Sequence, residues 1–292
     1  MKIFKAQNLA CPIDGVQLQL NEKQLVCENG HAFDVARQGY VNLLPVQHKR
    51  SKQPGDSKEM VIARSQFLNT GVYHPIAEKL ADMTFALISE YDQVTNNEPV
   101  CLMDAGCGEG YYLNSIFNDI NNEDAELVLS FIGLDISKYA ILESAKKNKQ
   151  ITWIVGTNRK PPVCAESVDI VLCVFGFQSF DGFYDVLKPG GKIVLVEPGP
   201  DHLQELRAII YSDVKKADPA DLSCLAAMGF SMMDSQSLQF KTGLIGNQQI
   251  NNLLSMTPHF YRAKKQGREA AVKLLELDLT VDVVFRVLQK TG

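Results

Sequence analysis

The sequence predicts an open α/β fold with a mostly parallel sheet, preceded by a small module that carries cysteine and histidine. From residue 99 onward, short apolar runs alternate with helical stretches, a pattern typical of parallel sheets covered on both faces. A glycine-rich loop follows the first of these apolar runs. Near the start of the chain, Cys11, Cys27 and His31 stand at spacings that suit a metal ion.

Residues 1–45 are predicted to form the small module from short strands. Alternating pieces such as VQLQL and KQLVC lie next to turns at Asp14-Gly15 and Asn29-Gly30. Because so short a module buries little apolar surface, it is expected to need a metal ion or a neighbouring domain. Residues 46–98 are predicted to hold a polar, basic connector and two helices, within MVIARSQFLNTG and at 75–90.

Residues 99–292 are predicted to form the α/β domain. Its parallel strands are expected in VCLMDAG, LVLSFIGLD, ITWIVGT, VDIVLCVF and GKIVLVEPG. Ser137 is the expected N-cap of the helix in SKYAILESAKKN. The C-terminal part is predicted as a helix at 202–214, a strand at 237–243, helices at 247–255 and 266–276, and a strand at 280–290.

The composition is that of an ordinary globular protein, with 46% hydrophobic and 22% charged residues. No apolar run could span a membrane, no signal-peptide core is visible, and the odd count of seven cysteines argues against a disulfide framework. A cytoplasmic protein without a membrane partner is therefore expected. The net charge of −5 is unevenly distributed, because the first 64 residues hold nine basic and six acidic residues. A nucleic-acid partner, which responds to local charge, is compatible with this pattern.

The glycine loop reads Asp104-Ala-Gly106-Cys-Gly108-Glu109-Gly110, and a nucleotide is the usual ligand of such a loop between strand and helix. Tyr111 stands where a dinucleotide-binding loop needs a small residue, and no Gly-Lys-Ser/Thr follows, which excludes a P-loop. The flanking acids Asp104 and Glu109 suit a cationic ligand, such as a sulfonium with an α-amino group. Asp135 ends the second strand, where a carboxylate can accept both hydroxyls of a ribose. A purely structural turn is the alternative.

Together with Asp135 and LKPGGK, the loop resembles the class I S-adenosylmethionine (SAM) methyltransferase pattern. The resemblance implies SAM as cofactor and a Rossmann-like, seven-stranded sheet that ends in an antiparallel hairpin. It also implies cofactor contacts by Asp104, Gly106 and Gly110 at the methionine end, Asp135 and Ile136 at the ribose, and Thr157 and Asn158 at the adenine. Many relatives carry aspartate in this last stretch, where the chain reads GTNRKPPV.

Further strings extend through most of the chain: GYVNLLPVQHKR, PGDS, AR, FL, GVYHP, PGPDHL and MTP. They resemble the bacterial 23S rRNA (guanine-N1)-methyltransferases, which include the tylosin-resistance enzymes. The resemblance implies methyl transfer from SAM to N1 of a guanine in a 23S rRNA hairpin, a zinc module that helps hold the hairpin, and self-association as a homodimer. It also implies that Tyr73, Gly108, Glu109 and His202 contact SAM. A methyltransferase acting on another RNA or on a small molecule is the alternative.

Methyl transfer to N1 of guanine has chemical requirements, and the sequence identifies residues for only some of them. N1 of guanine carries a proton at neutral pH, so the enzyme needs a general base or donors that stabilise charge on O6. The candidate bases near the sheet edge are His202, Glu197, Glu205 and Asp181, and the sequence does not choose among them. N1 also lies on the Watson–Crick edge, so the base must be unpaired. The aromatic run Phe175–Phe180 is expected either to stack on this base or to belong to the core.

Basic residues near the module are expected either to hold RNA or to be simply solvated: Arg37, Lys49, Arg50 and Lys52.

The proposed metal site departs from the family pattern at one position. The family has C-P-x-C followed by C-x₃-H, whereas this chain has Asp14 in place of the second cysteine, with Cys11, Cys27 and His31 retained. Aspartate can bind zinc, but closed structural sites favour cysteine and histidine. Two alternatives stay open: zinc bound with Asp14 or water as the fourth ligand, or a metal-free module held by packing. The substitution favours the second.

Overall fold

A computed structural model describes residues 2–45, 54–91, 99–121, 128–211, 222–257 and 264–291. The strands in these ranges are β1 (Lys2–Phe4), β2 (Gln19–Asn21), β3 (Gln24–Val26), β4 (Ala32–Asp34), β5 (Tyr40–Asn42), β6 (Val100–Ala105), β7 (Val128–Asp135), β8 (Thr152–Val155), β9 (Val168–Val174), β10 (Leu187–Pro198), β11 (Phe230–Gly246) and β12 (Glu276–Lys290). The helices are α1 (Lys58–Leu68), α2 (His74–Ser89), α3 (Tyr111–Asn121), α4 (Lys138–Lys147), α5 (Phe180–Val186), α6 (Gln204–Ile210), α7 (Asn247–Met256) and α8 (Lys265–Val272), and a 3₁₀ helix spans Ser223–Met228.

The large sheet has the strand order β11-β12-β10-β9-β6-β7-β8-β5, and β1 pairs with β7 beside this path. Strands β10 to β5 run parallel to their neighbours, while β12 is antiparallel to both β10 and β11. The predicted seven-stranded sheet with a C-terminal antiparallel hairpin is therefore confirmed in the strands from β11 to β8. Two strands near the N-terminus, β1 and β5, extend this sheet to nine strands.

The strand order changes direction at β6. The chain proceeds from β6 through β7 to β8 on one side and from β9 to β10 on the other. In open α/β sheets, ligands bind in the crevice at the carboxyl ends of the strands where the order reverses. The loops after β6, β7 and β9 therefore mark the expected binding edge.

The two faces of the sheet carry separate apolar clusters. Leu102 and Ile170 belong to the cluster covered by the helices α1, α2, α3 and α7. Met103 and Val171, each one residue further along, belong to the opposite cluster. This alternation follows from the two-residue period of a strand, and it explains why the parallel strands are apolar throughout.

The N-terminal region packs against this second face. Strands β2, β3 and β4 form a small antiparallel sheet, whereas β5 pairs with β8 at the edge of the large one. Leu9 and Leu18 are buried in the second cluster, and the backbone N–H of Ala10 donates to the carbonyl of Pro162 at 3.0 Å. The expectation that the module needs a neighbour is thus met by packing. The predicted division into residues 1–45, 46–98 and 99–292 stays a prediction.

Helix α4 begins at the N-cap that the sequence predicts. The hydroxyl of Ser137 accepts a hydrogen bond from the N–H of Ala140 at 3.3 Å, as expected for an N-cap. The predicted helix at 202–214 begins only at Gln204, because Leu203 has a left-handed backbone with φ of 54°. It ends at Ile210, and residues 212–214 lie outside the described part of the chain.

The C-terminal hairpin is longer than predicted. The predicted strand at 237–243 is the middle of β11, and the strand predicted at 280–290 begins at Glu276, where the preceding helix has already ended. Most of β11 is exposed, and polar residues interrupt its apolar ones, because it is an edge strand whose long pairing with β12 supplies its order. Apolar periodicity does not detect such a strand.

In the described ranges, no helix combines the length and the apolar character that a membrane crossing requires.

Candidate functional site

The glycine loop forms a tight turn between β6 and α3. The N–H groups of Gly106 and Cys107 both donate to the carbonyl of Leu134, at 2.7 and 3.0 Å. Gly110 has a φ of +83°, and a Cβ at this position would lie 2.8 Å from the Trp153 side chain. Glycine is therefore required at residue 110 both by the backbone conformation and by the close packing of the loop on β8.

Two buried carboxylates lie at the loop. Asp104 is 1% exposed, and its Oδ1 has no hydrogen-bond partner among the described residues. Burial, together with the nearby charge of Asp135, raises the pKa of Asp104 to about 8. Glu109 is also buried, and its Oε2 pairs with Lys147 while its Oε1 has no partner in the described ranges. Since a buried carboxylate oxygen without a partner is costly, the site fits a cationic ligand that would supply one.

Asp135 lies beside the loop at the end of β7. Its Oδ2 accepts a hydrogen bond from the N–H of Gly108 at 2.9 Å, and its Oδ1 accepts one from the N–H of Ser137 at 2.7 Å. Burial raises the pKa of this carboxyl group. The two N–H bonds fix its orientation, and each oxygen retains acceptor capacity for a ribose hydroxyl. Ile136, the next residue, is half-buried.

The predicted adenine residues follow β8. Asn158 is buried, and its amide nitrogen donates to the carbonyl of Ala105 at 3.1 Å and to that of Phe177 at 2.8 Å. Asn158 therefore ties the glycine loop to the segment after β9. The hydroxyl of Thr157 accepts from the N–H of Arg159 at 3.3 Å and is half-buried. Contact of Thr157 and Asn158 with adenine stays a prediction.

Aromatic rings from three distant segments meet at this edge. The rings of Tyr73 and Phe175 are 6.4 Å apart between centroids, and those of Phe175 and His202 are 5.9 Å apart. Tyr73 precedes α2, Phe175 follows β9, and His202 follows β10. Phe175 has a left-handed φ of 51°, a conformation that is strained for a bulky residue and that clusters at functional sites. Phe175 and Phe177 are both partly exposed and are not core residues, whereas Phe180 of the same run packs against the second apolar cluster. Stacking on a base stays a prediction.

The backbone determines which nitrogen of His202 carries the proton. The N–H of Asp282 points at Nδ1 of His202 at 3.3 Å, so Nδ1 is an acceptor in this contact. In a neutral imidazole the other nitrogen, Nε2, then carries the hydrogen. Nε2 lies 3.4 Å from the hydroxyl oxygen of Tyr73. His202 is therefore arranged as a hydrogen-bond donor towards the site rather than as a base.

The other candidate bases are engaged or exposed. Although burial acts in the opposite direction, hydrogen bonds from Lys241 and Thr280 lower the pKa of Glu205 to about 2. Glu197 accepts from Gln178 at 2.9 Å and pairs with Arg286 at 3.0 Å. Asp181 lies exposed in the first turn of α5. None of these arrangements is that of a general base poised near neutral pH.

One residue near the loop was missed by sequence reasoning. The guanidinium group of Arg64, on α1, lies 3.4 Å from where a Cβ on Gly108 would stand, and it pairs with Asp56. Its string, Ala63-Arg64, is part of the family resemblance, but a single arginine on an amphipathic helix gives no indication of a ligand.

The four predicted metal-binding residues form one cluster. The ligand atoms of Cys11, Asp14, Cys27 and His31 all lie within 4.8 Å of one another. Nδ1 of His31 is 3.5 Å from Sγ of Cys11 and 3.4 Å from Sγ of Cys27, and Oδ2 of Asp14 is 3.5 Å from Sγ of Cys27. Turns closed by the N–H groups of Gly15 and Gly30 position the two halves of the cluster.

These distances fit a tetrahedral zinc ion. Ligand atoms about 2.0–2.3 Å from zinc lie roughly 3.3–3.8 Å from each other. The contact between His31 Nδ1 and Asp14 Oδ2 is shorter, at 2.9 Å, so an ion would move these two atoms apart by a few tenths of an ångström. Hydrogen bonds from Asn29 and from the N–H of Val16 lower the pKa of Asp14, which keeps it in the charged form that binds metals. The carboxylate lies in the cluster with the two thiols and the imidazole, and its role as a metal ligand stays a prediction.

Of the predicted RNA-binding residues, Arg37 is exposed, and Lys49, Arg50 and Lys52 lie outside the described residues.

Comparisons with known proteins identify the domains and the relatives of the chain. The zinc-ribbon family model described as "RlmA, N-terminal" matches residues 9–52, and a methyltransferase domain model matches residues 103–195. The chain is 35% identical to the 23S rRNA (guanine(748)-N(1))-methyltransferase of Streptomyces fradiae, over 96% of this chain and 95% of that protein. It is 30% identical to YxjB of Bacillus subtilis over 94% of both chains. The solved structure of the YcgJ protein of Bacillus subtilis is a distant likeness, with a TM-score of 0.41 and 14% identity over 71% of this chain and 99% of that one.

Proposed function

The chain belongs to the family of 23S rRNA (guanine-N1)-methyltransferases, and we propose that it transfers a methyl group from SAM to N1 of a guanine in a 23S rRNA hairpin. The observation that carries this proposal is the pair of carboxylates at the glycine loop. Asp104, buried and without a partner for Oδ1, suits an ammonium group, and Asp135, oriented by two N–H groups, suits a ribose. Both features belong to SAM.

SAM supplies an activated methyl group on a positively charged sulfur, and the residues of this chain orient it. Asp104 would hold its ammonium group and Asp135 its ribose, while Tyr73 and His202 would cover the adenosyl part. Burial raises the pKa of the Tyr73 hydroxyl, so Tyr73 stays neutral and its ring packs edge-on against Phe67, with centroids 5.1 Å apart. These rings would shield the cofactor side of the site from water, and shielding and alignment account for much of the rate in such reactions.

The target guanine is proposed to stack at the exposed rings beside the cofactor site. Phe177 is 56% exposed, and the guanidinium carbon of Arg159 lies 4.8 Å from the centroid of its ring. Exposed aromatic rings paired with arginine suit an unstacked nucleobase and its phosphate. Asn158 holds the Phe177 backbone next to the glycine loop, so a base stacked on Phe177 would be presented to the methyl group.

Removal of the N1 proton is proposed to rely on stabilisation of the guanine anion and not on a poised base. The four candidate bases are engaged, exposed or arranged as donors, and the one Nε2–H of His202 faces Tyr73 on the adenosyl side of the site. A donor aimed at developing charge on the base oxygen lowers the barrier without accepting the proton. The proton would then pass to solvent.

The N-terminal module is proposed to hold the RNA hairpin and to bind one zinc ion through Cys11, Asp14, Cys27 and His31. The distances within this cluster support zinc binding. Purified protein that contains no metal would instead support the metal-free alternative. The roles of Lys49, Arg50 and Lys52 in RNA binding stay predictions, as do the homodimer and the cytoplasmic location.

Methyl transfer from labelled SAM to 23S rRNA tests the proposal. The RNA is transcribed in vitro, so that it carries no modification, and a hairpin fragment and a transfer RNA pool serve as comparison substrates. The proposal expects label in 23S rRNA and in a hairpin fragment. Label only in transfer RNA, or only in small molecules from a cell extract, would favour the alternative substrates.

A further inference from the structure

SAM is a zwitterion at its methionine end, so a complete site needs a partner for the carboxylate as well as for the ammonium group. Asp104 suits the ammonium group and repels the carboxylate. Backbone N–H groups of a glycine loop are the usual donors for an anionic group. In this chain four of those donors are already used within the protein.

Four of the loop N–H groups are bonded within the protein. Gly106 and Cys107 donate to the carbonyl of Leu134, and Gly110 donates to the carbonyl of Cys107 at 2.9 Å. The N–H of Gly108 donates to Asp135. A carboxylate at the loop would therefore gain from side chains that add to the remaining backbone donors.

Two side chains at the loop have the required chemistry. The guanidinium group of Arg64 lies over Gly108, with Nη1 and Cδ at 3.4 and 3.7 Å from where a Cβ would stand. The hydroxyl group of Tyr112, in the first turn of α3, is buried and has no hydrogen-bond partner among the described residues. Tyr112 follows the loop directly, and its ring centroid lies 6.4 Å from that of Phe175 at the same edge of the sheet.

We propose that Arg64 and the Tyr112 hydroxyl form the subsite for the α-carboxylate of SAM, opposite the ammonium group at Asp104. The proposal rests on the proposed function, since it names residues for the cofactor of that reaction. Arginine suits the role because its planar group can donate two parallel hydrogen bonds to one carboxylate. The absence of a side chain on Gly108 gives the guanidinium group its close approach to the loop.

The ion pair with Asp56 does not conflict with this role. Arg64 pairs with Asp56 through Nη1, and its Nη2 donates to the carbonyl of Met256 at 3.3 Å. These two contacts hold the guanidinium group over the loop and leave it further N–H donors, because arginine has five. Arg64 and Asp56 are 25% and 24% exposed, so a ligand carboxylate can reach the pair from the open side.

Lys147, the other cation in contact with the loop, is less suited. It pairs with Glu109, whose side chain is fully buried, and so it neutralises a charge of the protein itself.

The test compares two ligands that differ only in the carboxylate: S-adenosylhomocysteine and its decarboxylated analogue, which keeps the amino group. Their dissociation constants are measured by calorimetry for the full chain. The wild-type protein is expected to prefer S-adenosylhomocysteine by about 10- to 100-fold, the range for charged hydrogen bonds. Because both ligands share the adenosyl group, the ratio is insensitive to general damage to the site.

Arg64→Met is expected to bring this ratio close to one, and Tyr112→Phe to reduce it by about 3- to 10-fold. Tyr111→Phe is the matched control for the lost hydroxyl and is expected to keep the wild-type ratio. Asp56→Asn removes one of the two contacts that hold Arg64, so it is expected to lower the ratio less than Arg64→Met does. Asp104→Asn is expected to weaken both ligands, and the decarboxylated analogue more, because Asp104 attracts the amino group of both ligands and repels the carboxylate of one.

A wild-type ratio retained in Arg64→Met would overturn this inference while leaving the proposed function intact. A ratio lowered as much in Tyr111→Phe as in Tyr112→Phe would overturn the role of the Tyr112 hydroxyl. If the wild-type protein binds neither ligand, the proposed function fails together with the inference.

Discussion

The hydroxyl oxygen of Tyr73 lies 3.4 Å from Nε2 of His202, although 129 positions of sequence separate the two residues. The contact brings the start of α2 against the loop after β10. Because the N–H of Asp282 occupies Nδ1, the hydrogen on Nε2 is directed towards Tyr73 and the site. The pair is therefore a fixed donor and a neutral phenol at the place where the adenosyl group is proposed to bind.

This relationship predicts that His202 matters for ligand binding through its Nε2–H group. His202→Phe keeps a ring but removes the donor, and it is expected to weaken S-adenosylhomocysteine binding by about 5- to 10-fold. His202→Gln places an N–H near the position of Nε2 and is expected to recover part of the loss. Calorimetry measures both. Equal losses in the two variants would show that the ring, and not the donor, is what the ligand needs.

The carboxylate of Asp104 is predicted to lower the free energy of unfolding of the ligand-free chain. Its pKa is raised to about 8, above the value of about 3.9 for an unfolded chain. Between these two pH values the folded state therefore keeps a proton that the unfolded chain has lost. The contribution of Asp104 to stability is present below about pH 4 and is lost as pH rises towards 8. Asp104→Asn is therefore expected to be more stable than the wild type at pH 8, by on the order of 2 kcal/mol.

Urea unfolding of the ligand-free proteins at pH 5 and pH 8 measures this difference, which should be larger at pH 8. The same variant is expected to bind S-adenosylhomocysteine at least tenfold more weakly. A variant less stable than the wild type at pH 8 would contradict the proposed state of Asp104.

From the cluster of Cys11, Asp14, Cys27 and His31 we expect one bound zinc ion, held with moderate affinity. Protein purified from zinc-containing medium is expected to hold one zinc ion and to lose it to a chelator more readily than Asp14→Cys, because thiolate is the preferred ligand. Asp14→Ala is expected to lose zinc more readily still. Wild-type protein that contains no metal, yet melts at the same temperature with and without added zinc, would favour the metal-free alternative.

Phe177 is predicted to act on RNA and not on the cofactor. Phe177→Ala is expected to lower kcat/KM for the RNA by about 10- to 100-fold, the range for one lost base stack, with unchanged binding of S-adenosylhomocysteine. Phe177→Trp keeps a stacking surface and is expected to retain most of the activity. Single-turnover methylation gives the rates, and calorimetry gives the cofactor affinity. A parallel loss in both variants would point to a packing role.

The sequence predicted the parts of the fold and site whose patterns are local. The strands of the parallel sheet are buried on both faces and so are apolar throughout, and the glycine loop follows from backbone geometry. Strands β2 and β3 lie in the alternating pieces that were predicted, whereas β1 and β5 were not predicted, because their pairing with β7 and β8 depends on tertiary packing. β11 was predicted too short because polar residues interrupt its apolar ones at the edge of the sheet.

Two site features also depend on packing that the sequence does not show. Arg64 reaches the glycine loop only because α1 is placed above it, and nothing in the local pattern marks that placement. Asp14 looks in the sequence like the loss of a metal ligand. In the fold, Asn29 and the N–H of Val16 direct its carboxylate into the cluster with His31, which favours retention of the site with an altered ligand.

The position of the transferred methyl group tests the central claim most directly. Unmodified 23S rRNA is incubated with the protein and SAM, digested to nucleosides, and examined by mass spectrometry against standards of the methylguanosine isomers. The account predicts 1-methylguanosine, at one position of one hairpin, with none formed by Asp104→Asn at matched concentration. Methylation of another atom or another base, or no methylation of this RNA while SAM is bound, would contradict it.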